Sequence, residues 1–280
     1  MASVVIKRRL APARQAVGTV RDLFTYGDLL RNLVVRDLKV RYRGSVLGFG
    51  WSLLNPLLMM GVFTLVFQVL ANIDPIERYP FFLLAALVPW LFTQHAVTSA
   101  MRSVTSNAQL IKKVYFPREL LPISAILASF INFILAYAVF WLVAIPFGVG
   151  TSIAMALVPL NMLLHLIFVL GLGLLLASVN VFLRDTEHIV EVGLLAWFFL
   201  TPIFYAMSIV PNAMFWGLDI HRWVFTLNPM ATLVTNYRYA FMWGFFPIRH
   251  TLVTAVIAIG LLGVGLWLFR RLSARFAEEL

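Results

Sequence analysis

The chain contains no cysteine, which excludes disulfide bonds, thiol nucleophiles and cysteine metal sites together. It also lacks a glycine-rich phosphate loop of the form G-x-x-x-x-G-K-[ST], so we do not expect this chain to hydrolyse a nucleotide by itself. No H-E-x-x-H pair occurs, and the histidines are scattered singly. We therefore expect neither a catalytic site nor a cofactor or metal ion bound to this chain.

Long apolar runs dominate the sequence instead. Hydrophobic residues make up 61% of the 280 residues, and the mean hydropathy of +0.90 is above the range of soluble domains. Six runs are long enough to cross a hydrocarbon core of about 30 Å at about 1.5 Å per residue. They are 51–70, 81–101, 120–147, 157–183, 189–210 and 251–269. The sequence predicts an all-α integral membrane protein, with a six-helix transmembrane domain over residues 51–270.

Lys and Arg are distributed unequally between the connecting segments. The segment up to residue 50 carries ten, the loop 102–119 four, the loop 184–188 one and the C-terminal end three, whereas the opposite loops hold four. Because cytoplasmic loops retain positive charge, both termini are predicted to be cytoplasmic, including a tail at 271–280. The net charge of +10 is thus a topology signal and does not indicate nucleic-acid binding. The first 49 residues lack a short apolar core, so no cleaved signal peptide is expected.

The cytoplasmic segment 1–50 contains an amphipathic helix, predicted at about 28–43. Its polar stripe recurs at helical spacing and consists of Asn32, Arg36, Lys39 and Arg43. Such a helix lies along the membrane surface, either as an anchor at the headgroups or as a contact surface for a partner subunit or an anionic lipid. Asp37 and Arg41 interrupt the apolar side, which indicates that part of the helix contacts protein.

A second amphipathic helix is predicted at 107–117, in the loop 102–119. Ser106 or Asn107 caps its start, and Pro117 ends it. Its apolar face consists of Leu110, Ile111, Val114 and Tyr115, while Lys112 and Lys113 project from another face. The helix is either a lever that transmits motion to two spans or a plain, positively charged surface turn.

The outside region 211–247 is rich in aromatic residues and precedes the last span. Asn228 and Pro229 predict a helix start, because asparagine caps helices and proline suits the first helical position. We expect two short re-entrant helices here, dipping back into the outer leaflet. The aromatic side chains form either an interfacial belt or a platform on which sugar rings stack.

Glu191 is the only residue within the six runs that is charged at neutral pH. An ion pair with Arg184 would lower the free-energy cost of a carboxylate at that depth. The pair either braces the turn between two spans or transmits motion from the cytoplasmic face. His95 and His165 lie within runs and are interpreted as hydrogen-bonding groups for helix packing rather than as proton carriers.

Residues 36–60, RDLKVRYRGSVLGFGWSLLNPLLMM, resemble the entry to the first span in permease subunits of ABC exporters for surface polysaccharides. The O-antigen branch is the most similar, beside the teichoic acid exporters. The resemblance continues in the run N-x-x-L-I-x-K-x-x-F-P from Asn107, in VFLRD at 181–185, in TPIFY at 201–205 and in NP at 228–229. Each motif is short, but their shared order extends from about residue 36 to about residue 243.

The resemblance implies a homodimeric permease in the bacterial cytoplasmic (inner) membrane, paired with two copies of a separate P-loop nucleotide-binding subunit that holds ATP and Mg. Two copies of this chain would enclose a channel for an undecaprenyl-diphosphate-linked glycan. The two amphipathic helices would touch the ATPase, and the residues implied in coupling are Leu110, Ile111, Lys113, Val114 and Tyr115. The outside gate would include Asn228, Pro229 and Tyr237.

The lipid-linked diphosphate needs cations near the cytoplasmic entrance, because charge-assisted bonds to phosphate are strong and arginine binds bidentately. The candidates are Arg36, Lys39, Arg41 and Arg43. The candidate channel-lining aromatics are Phe63, Phe67, Trp90, Trp197, Phe198 and Tyr205. Burial against neighbouring helices explains any one of these aromatics equally well.

Two other functions remain open. An ABC permease for a drug, antibiotic or lipid would share the fold and carry less channel-lining aromatic surface. A membrane enzyme acting on lipid-linked sugars would need a pair of carboxylates or a metal site, which we do not find in the sequence.

Overall fold

The structure is a computed structural model of the chain and describes residues 25–45, 47–48, 50–70, 78–114, 116–183, 185–206, 214–215, 218–219 and 228–280. The described α-helices are α1 Gly27–Tyr42, α2 Gly50–Thr64, α3 Tyr79–Ser103, α4 Ala108–Lys113, α5 Leu120–Ala144, α6 Val158–Asn180, α7 Thr186–Leu200, α8 Pro229–Met242, α9 Ile248–Ser273 and α10 Phe276–Glu279. A π-helix, Leu65–Leu70, continues α2, and 3-10 turns lie at Thr105–Asn107, Ile145–Phe147 and Ile153–Leu157.

Four of the described helical segments are long and apolar enough to cross a membrane. They are Tyr79–Ser103, Leu120–Phe147, Ile153–Asn180 and Ile248–Ser273. These segments coincide with the predicted second, third, fourth and sixth spans. The predicted first span is helical throughout, but its apolar segment, Leu53–Phe67, is shorter. The helical class is confirmed, and the total of six spans stays a prediction.

The predicted fifth span, 189–210, is helical only in its first part, which corrects the sequence prediction. Helix α7 ends at Leu200, and Thr201 is extended with φ −100° and ψ 135°. Pro202 explains the break, because the residue before a proline is sterically disfavoured in the helical region. The 15 residues of α7 span about 22 Å, which is less than the ~30 Å hydrocarbon core.

The outside region also differs from its prediction. The helix expected after Asn228 is confirmed as α8, of which most residues are buried. Ahead of it, the part of this region that the structure describes contains two antiparallel strands, β1 Met214–Phe215 and β2 Leu218–Asp219. The second short helix expected there is therefore not found among the described residues.

Helix α3 is the central helix of the bundle. Of its most apolar stretch, 78% is buried, against 22% for the corresponding stretch of α9. It packs against α5, α6 and α8, and its Phe82 and Trp90 are fully buried. The Nε2 atom of His165 on α6 lies 2.7 Å from the Oγ1 atom of Thr93 on α3. The interpretation of His165 as a packing residue is thus confirmed.

Helices α6 and α9 approach each other at two glycines. A Cβ atom added at Gly171 would lie 2.5 Å from the backbone nitrogen of Leu262, and one added at Gly265 would contact the carbonyl oxygen of Gly171. Small residues at helix contacts let two backbones approach closely, which is a common device of membrane proteins. The spacing of these two helices therefore depends on the absence of side chains at both positions.

Candidate functional site

Helix α1 lies against α5, so it is more than an anchor at the membrane surface. Leu33 and Val34 are buried. The two polar residues that interrupt the apolar side bind α5: Ser124 Oγ donates to Asp37 Oδ2 at 3.2 Å, and Arg41 Nη2 donates to Ser129 Oγ at 2.9 Å. The prediction that part of this helix contacts protein is confirmed.

Arg36 connects α1 to the segment before α4. Its guanidinium donates to Asn107 Oδ1 at 3.0 Å and forms an ion pair with Asp37 at 2.9 Å. Asn107 Nδ2 donates to the carbonyl oxygen of Ser103, at the end of α3. The predicted side-chain cap by Asn107 is wrong, because the amide binds these two partners instead of the first turn of α4.

Helix α4 is shorter than the helix predicted at 107–117. It ends at Lys113, and Val114 is extended with φ −128° and ψ 137°. Pro117 explains this end, because it lacks the N–H group that would bind the carbonyl oxygen of Lys113 four residues earlier, and its ring clashes with that carbonyl. Val114 is exposed and lies off the buried face, contrary to the prediction.

The remaining coupling residues lie as follows. Ile111 is buried, Leu110 is half-buried, and Lys112 and Lys113 are exposed. Tyr115 lies outside the described residues. The apolar face of α4 is therefore confirmed for Leu110 and Ile111, and the role of this segment in coupling stays a prediction.

The C-terminal segment packs against α4, so it is not a free tail. Phe276 of α10 is fully buried, and α10 contacts α4. Arg118 donates to the carbonyl oxygen of Ser273, and Arg270 forms an ion pair with Glu119 at 3.2 Å. We call α4, Arg118 and α10 the coupling surface. It contains a cavity of about 430 Å³ lined by Ile111, Lys112, Lys113, Val114, Phe116, Arg118 and Ala277.

A second cavity, of about 450 Å³, lies between α1, α2, α3 and α5. Its polar lining residues are Arg41, Ser45, Asn55, His95, Ser99, Ser129 and Asn132. Its other lining residues are Trp51, Pro56, Val88, Leu91, Phe92, Phe133 and Ala136. None of these described residues is acidic, so Arg41 contributes a positive charge that the cavity wall does not compensate. We call this space the Arg41 cavity.

The structure separates the four candidate diphosphate-binding cations. Only Arg41 lines the cavity. Arg36 is engaged by Asp37 and Asn107, while Lys39 and Arg43, which are exposed like Arg41, do not line the cavity. Phosphate binding by any of them stays a prediction, but Arg41 is the one of the four that lines this cavity.

The six candidate channel-lining aromatics belong to one cluster. Four of them, Phe63, Phe67, Phe198 and Tyr205, contact Phe204, which the sequence did not single out and whose ring centroid lies 5.0 Å from that of Phe67 and 5.1 Å from that of Tyr205. The other contacts in the cluster join Phe63 to Phe67 and Phe198, and Trp90 to Trp197 and Phe198. Trp90 and Phe198 are buried within this chain, which favours packing as the explanation for those two residues.

Asn228 joins the end of α7 to the start of α8. Its Oδ1 accepts hydrogen bonds from the backbone nitrogens of Met230 and Ala231, at 3.1 and 3.3 Å, with Pro229 at the first helical position. The same oxygen accepts from Trp197 Nε1 at 2.9 Å. The predicted cap is confirmed, and it also holds a neighbouring helix.

The amide nitrogen of Asn228 makes a second set of contacts. Nδ2 donates to Thr201 Oγ1 at 3.1 Å and to the carbonyl oxygen of Leu200 at 3.3 Å. Both partners lie where α7 ends. Asn228 thus uses both ends of its side-chain amide to connect two elements of the outside region. Tyr237, the third gate candidate, is fully buried near His165.

Arg238 is a functional candidate that the sequence analysis missed. Its side chain is 3% exposed and donates to the carbonyl oxygens of Phe82, Pro202 and Ile203, at 3.2, 3.0 and 2.7 Å. Its Cζ atom lies 3.5 Å from the centroid of the Phe82 ring. It forms no ion pair with any described residue. An arginine within a largely apolar helix was the available signal. We call Asn228 and Arg238 the outside clamp.

At the turn before α7, which is predicted to be cytoplasmic, Arg184 lies outside the described residues and Glu191 is exposed on α7. Their predicted ion pair therefore stays a prediction. The ion pair that the structure places there joins Arg102 to Glu187 at 2.9 Å. Across the residues that the structure describes, no group of three or more His, Asp or Glu side chains could hold a metal ion.

Comparison with known proteins assigns this arrangement to a family. The profile of the ABC-2 type transporter family matches residues 28–242. The chain belongs to this family. The matched ABC-2 region runs from α1 to the end of α8 and so includes the Arg41 cavity and the outside clamp.

Three relatives are each described as an O-antigen export system permease protein, RfbA. The relative from Myxococcus xanthus is 35% identical over 93% of this chain and 98% of its own length. Two from Klebsiella pneumoniae are 33% and 32% identical over 90% of this chain and 95% of theirs. The resemblance to ABC exporter permeases is confirmed. This ABC-2 chain is therefore a multi-pass membrane protein, and its family implies a nucleotide-binding partner subunit.

Two substitutions test the outside clamp at Asn228. Asn228→Asp keeps the oxygen that caps α8 and binds Trp197, but removes the donor to Thr201. Asn228→Ala removes every contact, and loss of a helix cap alone costs about 1 kcal/mol. We expect thermal stability to fall in the order wild type, Asn228→Asp, Asn228→Ala, measured as the melting temperature of the purified protein. Equal melting temperatures for all three proteins would contradict this role.

Proposed function

We propose that this chain is the permease subunit of an ATP-driven exporter that moves an undecaprenyl-diphosphate-linked polysaccharide, such as O-antigen, across the bacterial cytoplasmic membrane. The observation that carries the proposal is its similarity to permeases named for O-antigen export over at least 95% of their length. Two copies of the chain enclose the channel, with six spans each and both termini in the cytoplasm.

ATP is hydrolysed by a separate nucleotide-binding subunit, which docks on the coupling surface and α1. The connections of this surface support the proposal. Asn107 joins the start of α4 to Arg36 of α1 and to Ser103 of α3, and α10 contacts α4 directly. A displacement of α4 is therefore transmitted to three other helices at once.

The glycan requires a path of its own, because a polar polymer cannot pass through hydrocarbon unaided. The aromatic cluster around Phe204 supports this part of the proposal. Aromatic faces pack on the apolar faces of sugar rings through many weak contacts, which allows a polymer to slide. Among the six candidates, the half-buried rings of Phe63, Phe67, Trp197 and Tyr205 remain accessible for this role, as does Phe204.

The proposal is tested by reconstituting the permease and its ATPase in bacteria that assemble a lipid-linked glycan but lack their own exporter. We expect glycan at the cell surface, detected by immunoblot, only when both subunits are present and the ATPase is active. Lipid-linked glycan that accumulates in the cytoplasm despite an active complex would contradict the proposal. Efflux of a drug or lipid, or modification of the lipid-linked sugar without ATP, would indicate one of the two other functions.

Reversal of one charge tests the coupling surface. Lys113→Glu places a negative charge on exposed α4 and is expected to lower export by about tenfold or more, because misplaced charges at an interface cost several kcal/mol. ATP hydrolysis by the complex should continue, so that the two activities are uncoupled. The matched control is Arg249→Glu, the same charge change on an exposed residue of the opposite face. Unchanged export per ATP hydrolysed in Lys113→Glu would contradict the prediction.

A further inference from the structure

We propose that the Arg41 cavity binds the phosphorylated headgroup of a lipid, with Arg41 and Asn132 as its donors. Because the exported lipid carries such a headgroup, the assignment of this site rests on the proposed function and identifies where the permease contacts its substrate. Two lipids share this chemistry: the undecaprenyl diphosphate of the cargo and an anionic phospholipid of the membrane.

Arg41 is held in place without being neutralised. Its Nη2 atom donates to Ser129 Oγ at 2.9 Å and to Ser99 Oγ at 3.5 Å. The Ser129 hydroxyl donates its own hydrogen to the carbonyl oxygen of Ala125, so it presents a lone pair to the guanidinium. The Nε and Nη1 atoms of Arg41 make no hydrogen bond to a described residue, and Arg41 forms no ion pair there. These donors are free for hydrogen bonds to phosphate oxygens, and such bonds are strong because both partners are charged.

Asn132 is an independent sign of a ligand. It lies on α5, three residues after Ser129 and therefore on the same helix face, and it lines the cavity. Its side chain is 7% exposed, and its Nδ2 atom is buried without a hydrogen-bond partner among the described residues. A buried donor without a partner is unfavourable, and such groups are rare in native structures. An acceptor oxygen of a bound ligand would satisfy it.

The polarity of the cavity changes along α3 in the manner that a lipid requires. Ser99 lies about 6 Å from the end of α3 at Ser103, the end predicted to be cytoplasmic, and Val88 lies about 22 Å from it. Arg41 and Ser129 meet Ser99 at the first level, and Val88, Leu91 and Phe92 are the apolar residues that line the cavity farther along α3. A phosphorylated headgroup fits the polar end and an acyl or prenyl chain fits the apolar wall, whereas a small soluble anion would use only the polar end.

The nearby cation Arg36 does not offer such a site. Asp37 and Asn107 already take up its donors, at 2.9 to 3.0 Å. A phosphate at Arg36 would also meet the like charge of Asp37. The uncompensated charge of Arg41, by contrast, faces a wall without acidic residues among those described.

The experiment measures lipid binding by the full-length chain in phosphatidylcholine nanodiscs, using native mass spectrometry. Undecaprenyl diphosphate is compared with undecaprenol, which lacks the phosphates, and with phosphatidylglycerol. We expect Arg41→Gln to weaken binding of the diphosphate by about tenfold, and Asn132→Leu by a smaller factor. Arg31→Gln removes one positive charge from an exposed position of the same helix, outside the cavity, and should leave binding within about twofold of wild type.

The outcomes separate the two lipids. Arg41-dependent binding of undecaprenyl diphosphate but not of phosphatidylglycerol supports the site with the cargo lipid as its ligand. Arg41-dependent binding of both supports the site with a membrane phospholipid as an alternative occupant. The proposal is overturned if undecaprenol binds as tightly as its diphosphate, or if neither Arg41→Gln nor Asn132→Leu weakens binding.

Separate controls test the folding of the variants and the function of the assembled complex. Asn132→Leu replaces an unpaired buried amide by an apolar group of similar size, so it should melt no lower than wild type, and Arg41→Lys retains the charge. Export by the assembled wild-type complex is measured in parallel. Export of glycan without phosphorylated-lipid binding in the cavity would overturn the site alone. Arg41-dependent binding without export would overturn the proposed function alone.

Discussion

Replacing Arg238 with methionine is expected to destabilise the protein by about 3 kcal/mol or more. The substitution leaves the carbonyl oxygens of Pro202 and Ile203 without their donor, and each buried unpaired group costs about 1–3 kcal/mol. These carbonyls lie in a non-helical segment, so no helical donor replaces the guanidinium. The cation–π contact with Phe82 is lost as well. Thermal unfolding in detergent, followed by size-exclusion chromatography with fluorescence detection, measures the loss.

Two further variants identify the cause of this loss. Arg238→Lys keeps the positive charge, but its single ammonium group cannot reproduce a fork that meets three carbonyls, so we expect an intermediate loss. Arg249→Met removes an exposed arginine from the first turn of α9, which follows the outside region, and should change stability by less than about 0.5 kcal/mol. If Arg238→Met had the same melting temperature as Arg249→Met and the wild type, the outside clamp would not be a stabilising feature.

The second large effect is expected at Gly171, where an alanine would bring a Cβ atom to 2.5 Å from the backbone nitrogen of Leu262. Because the clash is with backbone rather than with a flexible side chain, α6 and α9 must separate. Forced repacking of this kind costs about 1–3 kcal/mol for small groups, and Gly171→Val should cost more. We expect a lower melting temperature and less folded protein in the membrane, measured by the same assay.

Glycines elsewhere in these helices provide the matched control. Gly260 and Gly263 of α9 have open space where a Cβ atom would lie. Alanine favours a helix over glycine by up to about 1 kcal/mol, so Gly260→Ala and Gly263→Ala should be as stable as wild type or slightly more stable. The same substitution thus has opposite signs at contact and open positions. A loss in Gly263→Ala as large as that in Gly171→Ala would refute the close helix contact.

The outside clamp and the coupling surface share a design. At each, one polar side chain connects the end of a helix to a segment distant in sequence: Asn228 at the face predicted to be outside, and Asn107, directly before α4, at the face predicted to be cytoplasmic. Both asparagines use the oxygen as acceptor and the nitrogen as donor. Each asparagine thereby connects a break in the helical backbone to neighbouring elements through hydrogen bonds.

Several features could be predicted because they depend on neighbours in the chain. Apolar runs predict the long helices through the transfer of side chains out of water, and Asn228 with Pro229 predicts the start of α8 through local capping. Two ends were misplaced for reasons that are also local. The break at Thr201 follows from Pro202. Helix α4 was expected to extend to Pro117, but the effect of the proline ends the helix four residues earlier, at Lys113.

Hydropathy and charge in the sequence alone determined that this is a helical membrane protein, and its motifs indicated the exporter family. Only the tertiary structure decided which charges are compensated. Arg36 donates to Asn107, which lies 71 residues away, Arg41 faces a cavity between four helices, and Arg238 binds carbonyls up to 156 residues away. Burial free energy and helix geometry are set residue by residue along the chain. The partners of a charged side chain depend instead on which distant groups the packing of the helices brings within about 3 Å of it. No local pattern in the sequence encodes those contacts.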